Sequence, residues 1–493
     1  MISNAKPILQ ISDFSLSFGG PKNRQCILNN AYLTINKGQI VGLVGPSGSG
    51  KSVLAKSIFN AWQFEKVHQS GSITFYDNEK PVSLINKKRG AHQHIYGKKL
   101  GMIFQEPQLA FNPVLRCGKQ IIEVAQKHLC LKQNEALNKV TEAIKTLGLN
   151  AETLRAFPHE LSGGQLQRLM IAMAIITKPQ LIVADEPTTS LDSVSQKQIL
   201  DILIELNKTH GTALLMITHD PKVLTYLQAK TYELKQSRLT EAKNSNYNNL
   251  TEIELIKPKN ELALEINNIS FYYNKSQTIL NDISLRLKKG EILGIVGSSG
   301  CGKSTLAKIL CGLEQGNTLP IPTYEKGKIQ LIFQQPGSAL DPSQRAYSAI
   351  TEALKVAGLK PKAERKKRAD AILNEVGFPL DHGQKYPYQL SGGQKQRLCI
   401  ARALCSSPKI LICDEAVSSL DAYLKQQIIE LLIKLCKTQG LSIIFISHDI
   451  DLVINNCHRT LVMEKAKIAD EIIGNNIAKS KTVALQKLLE ARL

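Results

Sequence analysis

Five short stretches of this chain occur twice and in the same order, and that self-similarity constrains the fold more than any other feature. GPSGSGKS at residues 45–52 returns as GSSGCGKS at 297–304, and IFQEP at 103–107 returns as IFQQP at 332–336. HELSGGQLQR at 159–168 returns as YQLSGGQKQR at 388–397. LIVADEPTTSLD, ending at Asp192, returns as LICDEAVSSLD, ending at Asp421, and ITHD, ending at Asp220, returns as ISHD, ending at Asp449. Gln334, Ser391, Asp414 and His448 follow Gln105, Ser162, Asp185 and His219 by the same 229 positions, so this part of each half matches without net insertion. Lys303 follows Lys51 by 252 positions, so the second half lacks 23 residues between its first stretch and Gln334. The corresponding interval of the first half, 59–101, is polar and basic, with His68, Lys87–Arg89, His92, His94, Lys98 and Lys99. It predicts a hairpin and a loop, whose shortening leaves the surrounding frame intact.

Short apolar runs at 39–44 and 291–296 end in a glycine-rich loop, and Lys51 and Lys303 then open helical patterns. Strand, loop and helix in that order make each half α/β, with a parallel sheet flanked by helices. Residues 235–260 are rich in Asn, Lys, Ser and Thr with little apolar periodicity and read as a linker. The expected division is a first domain at 1–242, a linker at 243–261 and a second domain at 262–493.

The pattern GxxxxGK[ST] has a mechanical reason. Its glycines, among them Gly45, Gly48, Gly50, Gly297, Gly300 and Gly302, let backbone N–H groups curl around phosphate oxygens at a helix N-terminus, with Ser47 and Ser299 in the same loops. Lys51 and Lys303 would pair with the terminal phosphates of ATP, and the hydroxyls of Ser52 and Ser304 would ligate Mg²⁺. Asp185 and Asp414 end apolar runs that read as buried strands, and a carboxylate there reaches the same cation. Glu186 and Glu415 follow directly and are placed to polarise an attacking water. Ser162, Gly163, Gly164 and Gln165, and again Ser391, Gly392, Gly393 and Gln394, form a second Ser-Gly-Gly turn ahead of a long helix, which also suits an anion.

Composition narrows the class further. The net charge of +20 suits nucleic acid, an anionic membrane surface or simply a solvated lysine-rich exterior, and it is spread along the chain. Aromatic residues are only 5%, which argues against a binder that stacks bases. The ten cysteines show no CxxC pair, and several, such as Cys311, Cys399 and Cys413, sit in apolar runs. They read as buried free thiols in a reducing compartment. Neither a signal peptide nor an apolar run long enough to cross a bilayer is evident, so a soluble cytosolic protein is expected.

On these motifs the chain resembles the ABC-type ATPases over nearly its whole length. The resemblance implies two tandem P-loop ABC-type nucleotide-binding domains, each with a parallel-sheet core, a small antiparallel β region and a helical signature subdomain. It also implies an ATP sandwich with two composite sites, in which Lys51 and Glu186 face the turn at 391–394 and Lys303 and Glu415 face the turn at 162–165. Gln105 and Gln334 match the Q-loop glutamine that senses Mg²⁺ and water. His219 and His448 match the switch histidine, and Asp192 and Asp421 match the D-loop. Phe18 and Tyr273 are similar to the aromatic that stacks on adenine, and core aromatics on a strand are the other reading of that pair.

The longer stretches IFQEPQLAFNPV, IFQQPGSALDPSQR and FPHELSGGQLQR resemble the peptide/nickel importer ATPases. That branch implies uptake of oligopeptides, dipeptides or nickel-type solutes through separate integral membrane permease subunits, served by an extracytoplasmic solute-binding protein. The chain would then lie peripherally on the cytoplasmic face of the inner membrane as an intramolecular cassette pair, with no direct nucleic acid partner. A soluble tandem-cassette ATPase acting on ribosomes or nucleic acid is the alternative. The chain departs from the branch in its shortened segment before Gln334, in Ala416 where the first half has Pro187, and in lacking a long C-terminal extension and a cysteine cluster.

Overall fold

The computed structural model describes residues 6–20, 23–46, 48–62, 67–85, 92, 94–188, 191–242, 255, 257–274, 277–314, 328–334, 336–418, 420–474, 482–490 and 492. The chain divides into two compact units, with Met1–Leu191 and Ser195–Asn248 in the first and Asn249–Arg492 in the second.

In the first unit a six-stranded sheet runs in the order Arg238–Glu241, Lys230–Lys235, Ile40–Val44, Ala213–Ile217, Leu181–Asp185, Leu100–Ile103. All neighbours are parallel except the edge pair Lys230–Lys235 and Arg238–Glu241. Leu181–Asp185 and Ala213–Ile217 are buried at every residue, as expected of parallel strands covered on both faces. Alternation along Leu181–Asp185 sends Leu181 and Val183 into one core and Ile182 and Ala184 into another. The first core is closed by the helix Lys51–Ile58 and by a four-stranded antiparallel sheet in the order Gln25–Asn36, Pro7–Phe18, Val67–Asp77, Lys80–Ser83. The second is closed by the helices Cys117–Leu129, Gln133–Thr146 and Gly163–Ile175. Gln133–Thr146 buries Ala136, Val140 and Ile144, one residue per turn on a single face.

The second unit repeats this plan. Its six-stranded sheet runs Ile329–Ile332, Ile410–Asp414, Ser442–Ile446, Ile292–Gly297, Arg459–Glu464, Lys467–Ile473, the last pair antiparallel. Ile410 and Ile412 face the core shared with the antiparallel pair Leu262–Asn274 and Gln277–Lys288, whereas Leu411 and Cys413 face the helices. Each unit therefore has the expected α/β architecture, a parallel-sheet core with a small antiparallel β region and a helical part.

One expectation needs correction and two fall outside the described residues. The run taken as linker from residue 235 begins too early, because Arg238–Glu241 pairs back on Lys230–Lys235. The turn between them places Gln236 and Ser237 at φ 49° and 63°, the left-handed pair of a tight hairpin, without the Asn-Gly signature that would have announced it. After its last strand the second unit adds the helix Val483–Glu490, within the expected bounds of 262–493, and its Ala484, Leu485 and Leu488 are buried in the helical core. The expected hairpin of the 59–101 interval is present as Val67–Asp77 and Lys80–Ser83. Most of the linker at 243–261, and residues 315–327 of the shortened segment, lie outside the described residues. All ten cysteines are free. Cys26 and Cys130 are exposed and Cys311 is half-buried, while the other seven are buried. No helix among the described residues is long and apolar enough to cross a membrane.

Candidate functional site

Each unit builds its site at the carboxyl ends of the parallel strands. After Ile40–Val44 the chain turns through Gly45, Gly48 and Gly50, all at positive φ, into Lys51–Ile58. A Cβ on Gly45 would lie 2.3 Å from the Leu234 carbonyl oxygen, and one on Gly297 would lie 2.3 Å from that of Met463, so both positions admit glycine alone. The Lys51 ammonium donates to the carbonyls of Gly45 and Pro46 at 2.8 and 2.9 Å, and Lys303 does the same to Gly297 and Ser298 at 2.8 and 2.9 Å. Both lysines are buried. The helices Lys51–Ile58 and Lys303–Leu310 start without a side-chain cap, so their first amides are left for an anion. Ser299 is exposed in the second loop, and Ser47 lies outside the described residues.

The strand carrying Asp185 is not beside the phosphate-loop strand, because Ala213–Ile217, which leads into His219, lies between them. The phosphate-loop helix closes the gap. Ser52 hydrogen-bonds to Asp185, and the Ser304 hydroxyl donates to Asp414 Oδ1 at 3.1 Å. Burial pushes both carboxyls above the ordinary Asp range, against the opposing pull of the serine and of the neighbouring lysine.

Glu186 and Glu415 adopt left-handed backbone, φ 48° and 49°, although neither is glycine. Such a conformation costs about 1–3 kcal/mol. It is fixed by the next strand, since the Glu186 N–H donates to the Ile217 carbonyl at 2.8 Å and that of Glu415 to Ile446 at 3.0 Å. The turn aims each carboxylate away from the aspartate and towards a histidine and a glutamine. Glu186 Oε2 lies 3.2 Å from His219 Nδ1 and accepts from Gln105 Nε2 at 3.2 Å. Glu415 lies 3.4 Å from His448 Nδ1 through Oε1 and accepts from Gln334 Nε2 at 2.7 Å through Oε2. Burial raises the Glu415 carboxyl, but the His448 hydrogen bond and charge, with Lys303, bring it below the usual range. An ionised carboxylate of this kind orients a water and accepts its hydrogen bond.

The Ser-Gly-Gly turns each start a helix, Gly163–Ile175 and Gly392–Leu404, through a reciprocal capping box. Ser162 accepts from the Gln165 N–H at 3.3 Å, while Gln165 Oε1 accepts from the Ser162 N–H at 3.0 Å. Ser391 and Gln394 repeat the exchange at 3.3 and 3.1 Å. Ser162, Gly163, Ser391 and Gly392 are exposed. The aromatic pair divides: Phe18 is half-buried with its ring 5.4 Å from Trp62, edge to face, whereas Tyr273 is 54% exposed with its ring against Phe271. Asp421 caps Ala422–Gln439 by accepting from Leu424 N–H at 2.9 Å.

Some site residues carried no signal in the sequence reading. Gln167 is buried and donates to the Pro187 carbonyl at 2.8 Å, tying the signature helix to the turn after Glu186. Arg168 joins the same helix to the Leu147 carbonyl and to Gln198. Their position in the repeated LSGGQxQR stretch was the available clue.

The donor set fits a divalent cation carried by a nucleotide. Asp185 Oδ1 is buried without a hydrogen-bond partner among the described residues, beside the Ser52 hydroxyl. No group of three or more His, Cys, Asp or Glu side chains suited to a metal occurs among the described residues. The cation would therefore complete its shell with phosphate oxygens and water, the usual arrangement for Mg²⁺.

The profile of the family described as ABC transporter matches residues 28–189 and 280–418. The chain is 33% identical, over 94% of its length and 95% of the relative's, to the "Uncharacterized ABC transporter ATP-binding protein YejF" of Escherichia coli. It is 32% identical, over 95% of its length and 86% of the relative's, to the "Glutathione import ATP-binding protein GsiA" of Escherichia coli. Among solved structures, the archaeal ribosome recycling factor aABCE1, in complex with the ribosomal stalk protein aP1, matches with TM-score 0.64 at 19% identity, covering 93% of this chain and 90% of that one. That likeness concerns the fold alone.

Proposed function

We propose that this chain, which belongs to the ABC transporter family of ATP-binding proteins, is the energising subunit of an importer of peptide-like solutes. ATP hydrolysis is the activity of the family, and both halves keep a lysine loop, an aspartate, a glutamate, a glutamine and a histidine in the same relative places. The observation that carries the importer reading is the match of nearly the whole chain to a glutathione import ATP-binding protein at 32% identity. Glutathione is a tripeptide, so a peptide-type solute has support, and a nickel-type solute has none from the relatives named above.

In this reading the loops at Lys51 and Lys303 cradle the phosphates of ATP. Bound Mg²⁺ supplies neutralisation of phosphate charge, and Ser52, Asp185 and Gln105, or Ser304, Asp414 and Gln334, are the residues that would hold it. Glu186 and Glu415 align a water against the terminal phosphate and accept its hydrogen bond. His219 and His448 fix the direction of those carboxylates. Phe18 and Tyr273 border the adenine. The signature turns at 162–165 and 391–394 close on the ATP of the opposite half, so that each site is composite.

The partners are separate integral membrane permease subunits together with an extracytoplasmic solute-binding protein, and the chain lies on the cytoplasmic face of the membrane. Exposed apolar residues next to the Q-loop glutamines in the chain, Phe104 and Phe333, support a protein partner at that place. Affinity purification from detergent-solubilised membranes tests the reading. Recovery of permease subunits, with ATP turnover stimulated by a peptide in their presence, is expected. Recovery with ribosomes and no integral membrane protein would replace it with the ribosome reading that the charge of +20 suits.

A further inference from the structure

The two signature turns share the sequence LSGGQ, yet their glutamines are held differently. In both, Oε1 of the glutamine accepts the backbone N–H of the serine. In the second unit Nε2 of Gln394 also lies 3.0 Å from Nδ1 of His382. With its oxygen committed to Ser391, the Gln394 amide can only donate through Nε2. His382 Nδ1 is therefore the acceptor, and the imidazole proton sits on Nε2, which faces the Asp381 carboxylate at 3.8 Å.

The equivalent of His382 in the first unit is Thr153, whose hydroxyl donates to the Asn150 carbonyl at 2.6 Å. The Gln165 amide nitrogen has no partner among the described residues, and Gln165 is exposed where Gln394 is half-buried. His382 is delivered by a well-anchored turn, Leu380–Gln384. Gln384 accepts from Arg345 at 2.6 Å, and the Lys385 carbonyl accepts from the Ala346 N–H at 3.0 Å. A Cβ on Gly383 would lie 3.3 Å from that of Tyr347, so the turn sits close against the helix Ala346–Val356.

We propose that His382 is a positioning residue of the second signature turn: by accepting from Gln394 it locks the amide that holds the Ser391 N–H, and so keeps this turn, and not the first, preorganised for phosphate. The inference rests on the reading that the signature turns serve ATP. Its consequence is inequality. The ATP site that uses residues 391–394 closes on a turn already ordered, whereas the site that uses 162–165 must order its glutamine during closure.

Two measurements on the full chain test it. Hydrogen exchange reads the turn without ATP: in His382→Ala the amides of 391–395 exchange about threefold to tenfold faster, in line with loss of one half-buried hydrogen bond. His382→Asn, whose Oδ1 can accept in place of Nδ1, restores the original rate, and Thr153→Ala leaves 162–166 unchanged. Steady-state turnover reads the site: His382→Ala lowers kcat about threefold to tenfold with KM for ATP nearly constant, and His382→Asn recovers kcat. Unchanged exchange in His382→Ala, or failure of Asn to restore it, overturns the positioning role. Faster exchange with unchanged kcat overturns instead the assignment of the turn to ATP, and the catalytic half of the proposal with it.

Discussion

Glu186 Oε2 stands 3.2 Å from Nδ1 of His219, and the same contact recurs in the second unit between Glu415 and His448 at 3.4 Å. Each glutamate also accepts from the Q-loop glutamine of its own unit. Three separate segments thus converge on one carboxylate, which is the geometry required of the group that aligns the attacking water. Replacing both Glu186 and Glu415 by Gln keeps the shape and removes the charge. The double variant should retain ATP binding and lose turnover by a factor on the order of a hundred or more. Nucleotide binding measured by equilibrium dialysis beside phosphate release checks both halves of that statement, and undiminished release would refute the assignment.

The histidine has a separable effect. His448 is the main influence bringing the Glu415 carboxyl below its ordinary value, against burial, which pushes it up. Without the imidazole, burial prevails and the carboxyl titrates higher. A carboxylate whose native pKa is lowered is functional above that pKa and fails as pH falls through it. His448→Ala should therefore move the acid limb of the turnover profile to higher pH, in addition to lowering the plateau. Profiles that extend below the ordinary carboxylate range, from about pH 3 to about pH 8, decide the matter, since a variant limb at the wild-type pH would show that His448 does not set the ionisation of Glu415.

The phosphate loops, the aspartates and the signature helices were legible because their chemistry demands fixed spacing within one short stretch. Lys51 opens its helix and Ser162 caps its own, as local patterns dictate. The left-handed backbone of Glu186 was not legible, because no glycine or asparagine marks it. It is imposed by the Ile217 carbonyl, which belongs to a strand about thirty residues away in the chain. The strand order, which sets His219 between the phosphate loop and Asp185, is likewise a product of non-local pairing. The tether on Gln394 was not legible, because His382 looks like any loop histidine until the turn Leu380–Gln384 is folded against Ala346–Val356.

Ala416, which stands where the first half has Pro187, coincides with a difference in the core. Gln167 is buried and donates to the Pro187 carbonyl, but the equivalent Gln396 is fully buried with neither amide atom paired among the described residues. An unsatisfied buried amide costs about 1–3 kcal/mol. Gln396→Met, of similar volume, should stabilise the protein and raise the melting midpoint of the second unit by about 2–12 °C, at roughly 2–4 °C per kcal/mol. Gln167→Met breaks a made hydrogen bond and should lower the midpoint of the first. Calorimetry of the two variants tests the contrast, and equal shifts of one sign in both would show that the two amides are in equivalent environments.

The composite arrangement proposed for the ATP sites makes a claim about pairs of residues rather than single ones. If Lys51 and Ser391 serve one ATP, removing both damages one site twice, and groups that act as a unit lose little more together than singly. Lys51→Ala with Ser391→Ala should then turn over close to the slower of its two parents. Lys51→Ala with Ser162→Ala damages both sites, and its losses should multiply, leaving it about tenfold slower than the first pair. The two doubles share one parent and differ only in which signature serine is lost, so general destabilisation affects them alike. The opposite order, with Lys51 and Ser162 behaving as the unit, would assign each ATP to a single half and remove the physical reason for joining two cassettes in one chain.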